Sequence, residues 1–176
     1  LVQVDYDLNF NKGIKDSEKI FSVTAGDMDG SGKRQMNFCR PLADIIIECS
    51  PNIEYGGALS FTTGYNRYWI EEDGVRKNVD IVGVSKFNGN ALKVFGFEAV
   101  EGSLDDIIDY NTLAVSETIA KRFGLEVGMT LGYEEQKDII TIKAIFKDMP
   151  KNSHLRDISA LRNMGDESAN NFSEWS

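Results

Sequence analysis

"LAVSETIAKRFGLEVGMTL", residues 113–131, reads as a strand, a helix and a second strand in direct succession. Leu113 to Val115 is a short apolar run. Ser116 is a helix N-cap residue, because its hydroxyl can accept from a free backbone N–H of the first turn. Gly124 ends the helix, since glycine enters the left-handed conformation that closes a helix without steric cost. The following "MTLGYEEQKDIITIKAIF", 129–146, is a strand pair around the polar turn Glu134 to Lys137. Its second strand is expected to place Ile140, Ile142, Ala144 and Phe146 on one face. Strands and helices therefore share one segment, and the fold class is α+β.

Toward the N-terminus, "VQVDYDLNF" (2–10) alternates apolar and polar residues and predicts a half-buried strand. "NKGIKDSEKI" (11–20) predicts a short helix, and "FSVTA" (21–25) another strand. "RPLADIIIECSP" (40–51) places Leu42, Ile45, Ile46 and Cys49 on one helical stripe. Pro41 suits its first position and Pro51 stops it. From Tyr55 to Ser85 the pattern turns to strands, with "GALSFTT" (57–63), "NRYWIEE" (66–72) and "VRKNVDIVGVS" (75–85). Asp73-Gly74 is a two-residue hairpin turn. "LKVFGF" (92–97) is short and aromatic, and "LDDIIDYN" (104–111) is an acidic surface turn. "SHLRDISALRNM" (153–164) predicts a helix, and the tail 165–176 is polar.

The 176 residues suffice for one domain or two small lobes. With 41% hydrophobic and 27% charged residues the composition is that of a globular protein. A net charge of −9 speaks against nucleic acid or an anionic membrane surface as partner. No apolar run approaches the length of a membrane span. Cys39 and Cys49 would lie about 15 Å apart on a helix, whereas a disulfide tolerates at most about 7 Å between Cα atoms. Two free thiols are expected. A single histidine, His154, and no clustered thiols make a structural zinc site improbable.

"GDMDGSGKRQMNF" (26–38) imitates a calcium loop from Asp27 through Asp29, Ser31 and Gly32. Its twelfth position is Phe38, which has no oxygen for the bidentate anchor, so no tight calcium binding is expected. It also lacks the glycine and hydroxyl spacing of a phosphate loop. Asp105, Asp106 and Asp109 could gather a cation, but nothing near them completes a ligand set, and a solvated turn is the simpler reading. Glu71, Glu72 and Asp73 lead into a turn. Ser116, Ser153 and His154 lack the elbow motif of a nucleophilic serine; Ser116 is better explained as a cap, and His154 as the donor or acceptor of a structural hydrogen bond. Tyr65, Tyr68 and Trp69 occupy neighbouring strand positions and so face both sides of a sheet. No catalytic, cofactor-binding or metal-binding residue is assigned.

The second half carries an ordered set of motifs: "VFGFEAVEGSL" (94–104), "LAVSETIAKRFGLEVGMTL" (113–131) and "ITIKAIFKDMPKNSHL" (140–155). The set resembles the MacB-like periplasmic core domain of FtsX-like ABC transporter permeases, especially the Bacteroidetes form. The matching positions are Phe95, Phe97 and Gly102; Ser116, Glu117, Ala120, Phe123, Gly124 and Gly128; and Asp148, Met149, Pro150, Asn152, Ser153 and His154. "FNKGIKDSEKIFSV" (10–23) fits more loosely, through Phe10, Ile20 and Phe21, the segment after the family's first membrane helix. The resemblance covers nearly the whole chain.

It implies a two-lobed domain: a mixed β-sheet with packed helices from residues 1–54 and about 110–176, and a β-rich insertion over about 55–109. The family pattern continues past Trp175 with another strand and helix, so the first lobe is expected to be truncated here. It also implies no cofactor, and a periplasmic domain of an inner-membrane protein whose permease forms dimers, works with a separate ABC ATPase through the membrane part, and meets periplasmic adaptors. Without a Walker motif, ATP chemistry belongs to the partner. The family residues read as structural: Gly124 for a left-handed cap, Pro150 for a strand end. Two other readings stay open, a free envelope or secreted ligand-binding module using the aromatic strands, and, more distantly, an enzyme using Asp105 or Ser116.

Overall fold

The computed structural model describes residues 11, 13–22, 41–60, 64–133 and 139–164; the side chains of 41–44 are not described. The expected first strand, most of "FSVTA", the 26–38 loop with Cys39, the Glu134 to Lys137 turn and the tail from Gly165 lie outside these residues.

Among the described residues the architecture is a seven-stranded mixed sheet. β1 (Gly64–Glu72) and β2 (Val75–Phe87) form a long antiparallel hairpin. Asp73 and Gly74 both have positive φ, 52° and 75°, the conformation that matches the twist of a two-residue hairpin. β5 (Thr130–Tyr133) pairs antiparallel with β1 on one side and with β6 (Ile139–Phe146) on the other. β6 runs parallel to β4 (Thr112–Ser116), β4 antiparallel to β7 (Ala160–Asn163), and β7 parallel to β2. The circuit β6-β4-β7-β2-β1-β5 thus returns to β6. β3 (Ala99–Gly102) lies outside it, against the last residues of β6.

Closure separates two cores. Every strand of the circuit contributes to the first, including Tyr68, Ile81, Leu113, Leu131, Ile142 and Ala160. Ile119 and Ala120 of α3 (Glu117–Phe123), with Leu125, pack against it. The second core holds Phe87, Phe97, Ala144, Phe146, Leu155 and Leu161, with Ile14 and with Ala91 and Leu92 of α2 (Ala91–Val94). Phe97 meets Phe146 edge to face at 5.6 Å, the arrangement the ring quadrupoles favour.

Several expectations are corrected. Ile140, Ile142, Ala144 and Phe146 do not share a face. Leu113 pairs with Ile142 but Ala114 with Ala144, so Lys143 is an extra residue in the ladder. This bulge turns Ile140 and Ile142 into the first core, and Ala144 and Phe146 into the second. The helix expected over 153–164 is a series of turns followed by β7. Ser159 donates to Gly83 O and accepts from Ser116 N, and β7 is then held between β2 and β4. Ladder bonds on both edges outweigh local helical spacing there. The expected helix over 11–20 is one 3-10 turn, Ser17–Lys19. Phe21, read as a strand residue, is outside any strand and 85% exposed. Of the described residues 57–60 of "GALSFTT" only Leu59 bridges, to Phe87. The helix α1 (Pro41–Cys49) forms as read. The strands of the expected insertion, β1 to β3, and the later β4 to β7 belong to one sheet, which does not confirm a two-lobed outline.

Candidate functional site

Some of the residues that carry the family resemblance, Ser116, Glu117 and the matching positions from Asp148 to His154, lie at the N-terminus of α3 and in the loop 147–154. Ser116 caps the helix as read, its Oγ accepting from Ile119 N at 3.4 Å. A second acceptor arrives from the loop. Asp148 Oδ2 accepts from the Thr118 hydroxyl at 2.6 Å, and Oδ1 from Thr118 N at 3.3 Å. Partial burial acts to raise the Asp148 carboxyl. Hydrogen bonds from Thr118 and Ser116, with the Lys121 charge, outweigh it and hold the carboxyl below its ordinary value. A carboxylate also suits the positive end of the helix. Glu117 pairs with Lys121 one turn on, at 3.5 Å. Gly124 closes the helix at φ 64°, its N–H donating to Ala120 O. Gly128, at φ 91°, donates to Ile142 O, joining the turn after the helix to β6.

The same loop binds the first described residues. Asn11 N donates to Asn152 O at 2.8 Å, and His154 N donates to Asn11 Oδ1 at 3.1 Å. That fixes the amide, whose Nδ2 lies 2.8 Å from His154 Nδ1 and donates to it. Pro150 lies against Gly13, where a Cβ would come within 2.7 Å of its ring. Ser153, fully enclosed, donates to Pro150 O at 2.8 Å and accepts from Leu155 N at 3.2 Å. His154 and both serines are thus engaged in hydrogen bonds that join backbone segments. Gly102, at φ 71°, sits against the Lys143 carbonyl at the bulge, which Ser103 N also reaches at 3.3 Å.

The remaining candidates do not assemble. Asp105 pairs with Lys93 at 3.5 Å, and Asp109 accepts from Asn111 N. Among the described residues, no group of three or more His, Cys, Asp or Glu side chains could hold a metal. Cys49 is a free, exposed cysteine. Tyr65, Tyr68 and Trp69 form no common platform. Tyr68 is buried in the first core, while Tyr65 is half exposed and donates to Asp80 Oδ1 at 2.8 Å. Trp69 lies across Gly132, with the Arg76 guanidinium 4.1 Å above its ring. A cleft of about 520 Å³ opens beside β3, lined by Leu92, Phe97, Gly102, Leu104 and Ile107. Lys93 and Asp105 stand at it too.

One cluster escaped the sequence reading. Arg162 on β7 is 8% exposed, donates to Tyr110 O at 2.6 Å and lies 4.9 Å from the Tyr133 ring centroid. Assigning residues 153–164 to a helix hid it. The available signal was a lone arginine directly after the apolar Ala160 and Leu161, in a stretch that also reads as a buried strand.

No protein-family model matches the sequence, and no curated protein does. Solved structures do. A domain of a protein assigned as a permease from Porphyromonas gingivalis is 25% identical with a TM-score of 0.61, over 80% of this chain and 65% of that one. The chain thus spans somewhat less than two thirds of that domain. The periplasmic region of MacB from Actinobacillus actinomycetemcomitans is 12% identical, TM-score 0.47, over 86% and 70%. The extracellular domain of the noncanonic ABC-type transporter YknZ from Gram-positive bacteria is 12% identical, TM-score 0.43, over 63% and 58%. The first of these is a permease domain. Among the described residues no helix is long and apolar enough to cross a membrane. The resemblance that the ordered motifs carry is met in three dimensions by the Porphyromonas gingivalis permease domain, whose fold the chain shares.

Proposed function

We propose that this chain is the periplasmic domain of an inner-membrane ABC transporter permease, and that it couples ATPase-driven motion to export or to envelope partner proteins. The observation that carries this reading is the likeness to the Porphyromonas gingivalis permease domain, at 25% identity and over 80% of the chain. The loop 147–154 gives the coupling a physical route. It holds Asn11 and Gly13, which the resemblance places after a membrane helix, and it also caps α3, which packs on the first core. A displacement of the N-terminal segment is passed to the sheet through Asn11, Pro150 and Asp148 rather than lost in a flexible linker. In this reading the ATPase is a separate subunit reached through the membrane part, a second permease copy completes a dimer, and an envelope adaptor is a further partner.

The test is made in the intact permease with its ATPase. Deleting residues 1–176 while keeping the membrane helices abolishes transport and leaves ATP binding intact. Transport that survives the deletion refutes the coupling role.

A further inference from the structure

We infer that the cleft beside β3 is the docking site of the chain's own segment 165–176, and that Phe172 and Trp175 fill it. The cleft, of about 520 Å³, falls in the size range of sites that enclose small molecules. Leu92, Phe97 and Ile107, members of the second core, form its apolar lining, and Ile108 stands at it 71% exposed. Val100, next to the lining residue Ala99, is 57% exposed. Apolar surface gathered around a concave site is the kind that a partner covers, unlike single apolar side chains scattered over a surface.

The path of the chain selects the occupant. β7 ends at Asn163, which lines the cleft and donates from Nδ2 to Ile107 O at 3.0 Å. Met164 N then donates to Phe87 O at 2.9 Å, and Phe87 is another lining residue. Residue 165 therefore follows directly from the wall of the cleft. The segment that starts there, "GDESANNFSEWS", carries two large apolar side chains, Phe172 and Trp175, among small and polar residues. Side chains of this kind remove about 150–250 Å² each from water when buried. At up to roughly 3.3 Å per residue, the stretch from Asn163 to Phe172 spans about 30 Å, ample for a return to a site that begins at Asn163 itself. Tethering also gives the segment an effective concentration on the order of millimolar, which a separate molecule of like composition does not have. The charged lining residues are one lysine and one aspartate, Lys93 and Asp105, paired at 3.5 Å. That balanced pair neither repels the acids of the segment, Asp166, Glu167 and Glu174, nor calls for a charged ligand. The inference is independent of the permease reading.

The experiment uses the 176-residue chain labelled with 5-fluorotryptophan, which gives one 19F resonance for each of Trp69 and Trp175. Trp175→Phe assigns them, and a soluble gadolinium chelate reports exposure by relaxation enhancement. The expected result is a Trp175 resonance shielded from the chelate relative to free 5-fluorotryptophan, and loss of that shielding in Ile108→Asp. Ile108 is exposed, so the change leaves the fold intact. Val82→Asp, at another exposed apolar position on β2, keeps the shielding. A reading from the cleft side leaves the described fold untouched: with Phe172→Ser and Trp175→Ser combined, the amide resonances of Lys93, Leu104 and Ile108 move and those of Tyr65 and Asp80 stay. A Trp175 as open to the chelate as the free amino acid overturns the inference. So does shielding that Ile108→Asp does not change, or a double variant without amide shifts at the cleft. Shielding that fades on dilution overturns it as well, since a second copy would then supply the ring.

Discussion

Replacing Gly102 or Gly124 by alanine separates two costs that the fold imposes on its glycines. Both have left-handed backbone, with φ of 71° and 64°. An L residue in that conformation costs about 1–2 kcal/mol, part of which is returned because alanine also restricts the unfolded chain by about 0.4–1 kcal/mol. At Gly124 nothing lies within 4 Å of an added Cβ, so the net loss is about 1 kcal/mol. At Gly102 the added Cβ meets the Lys143 carbonyl oxygen closer than real contacts allow, and Ala144 Cα at 3.1 Å. Both are backbone atoms and cannot swing aside. The bulge must move, and the Ser103 N bond to that carbonyl, 3.3 Å long, is lost with it. A broken backbone bond adds about 1–3 kcal/mol, so Gly102→Ala loses about 3 kcal/mol in all, conformational strain included. For a chain of this size each kcal/mol lowers the melting temperature by roughly 2–4 °C. Urea unfolding followed by circular dichroism gives both free energies with m as a check on two-state behaviour. Equal losses at the two sites would refute the claim that the bulge is packed against Gly102.

Phe146→Ala removes an enclosed ring and its edge-to-face contact with Phe97, and should cost about 3–5 kcal/mol in the same unfolding assay. Asp148→Ala removes the acceptor for Thr118 and should cost about 1 kcal/mol at neutral pH, the usual worth of a helix N-cap. The folded carboxyl lies below its ordinary value. Its stabilisation is therefore present above the normal carboxylate range and fades as pH falls through it, so the wild-type and Asp148→Ala melting curves should converge in acid. Cys49, free and exposed, should react with a thiol reagent in the native chain; protection until denaturant is added would contradict its placement.

What the sequence revealed was what local chemistry decides. Asp73-Gly74, the Ser116 cap, the Gly124 stop and the Pro41 helix each rest on interactions within a few residues, and each stands where the reading put it. What it concealed depends on distant partners. The bulge at Lys143 exists because β6 must serve two cores, and strict alternation gives no hint of it. Residues 160–163 become strand because β2 and β4 leave a slot between them, and no local propensity records that slot. The error carried through to the site, since an arginine on a surface helix needs no partner and a buried one does. The calcium-like loop falls outside the described residues. Asp148 was readable as a motif position but not as a helix cap, because Thr118 lies 30 residues away.

The residues that match the family are mostly ones whose job another side chain does poorly. Gly102, Gly124 and Gly128 take positive φ. Ser116 and Asp148 supply oxygens to free helix N–H groups. Pro150 packs on Gly13 where a larger residue would collide. These residues fix how one segment meets the next. That distribution suits a part whose output is position rather than chemistry. A closed strand circuit strengthens the point. An open sheet can splay or slide at its edge strands, but here β1 and β2 are joined to β4 to β7 through both β7 and β5. Bending the hairpin away from the rest would break two ladders at once. Under the proposed coupling role, a push delivered at Asn11 therefore reaches the tip of the β1–β2 hairpin as movement of one stiff body, with the loop 147–154 as its point of attachment.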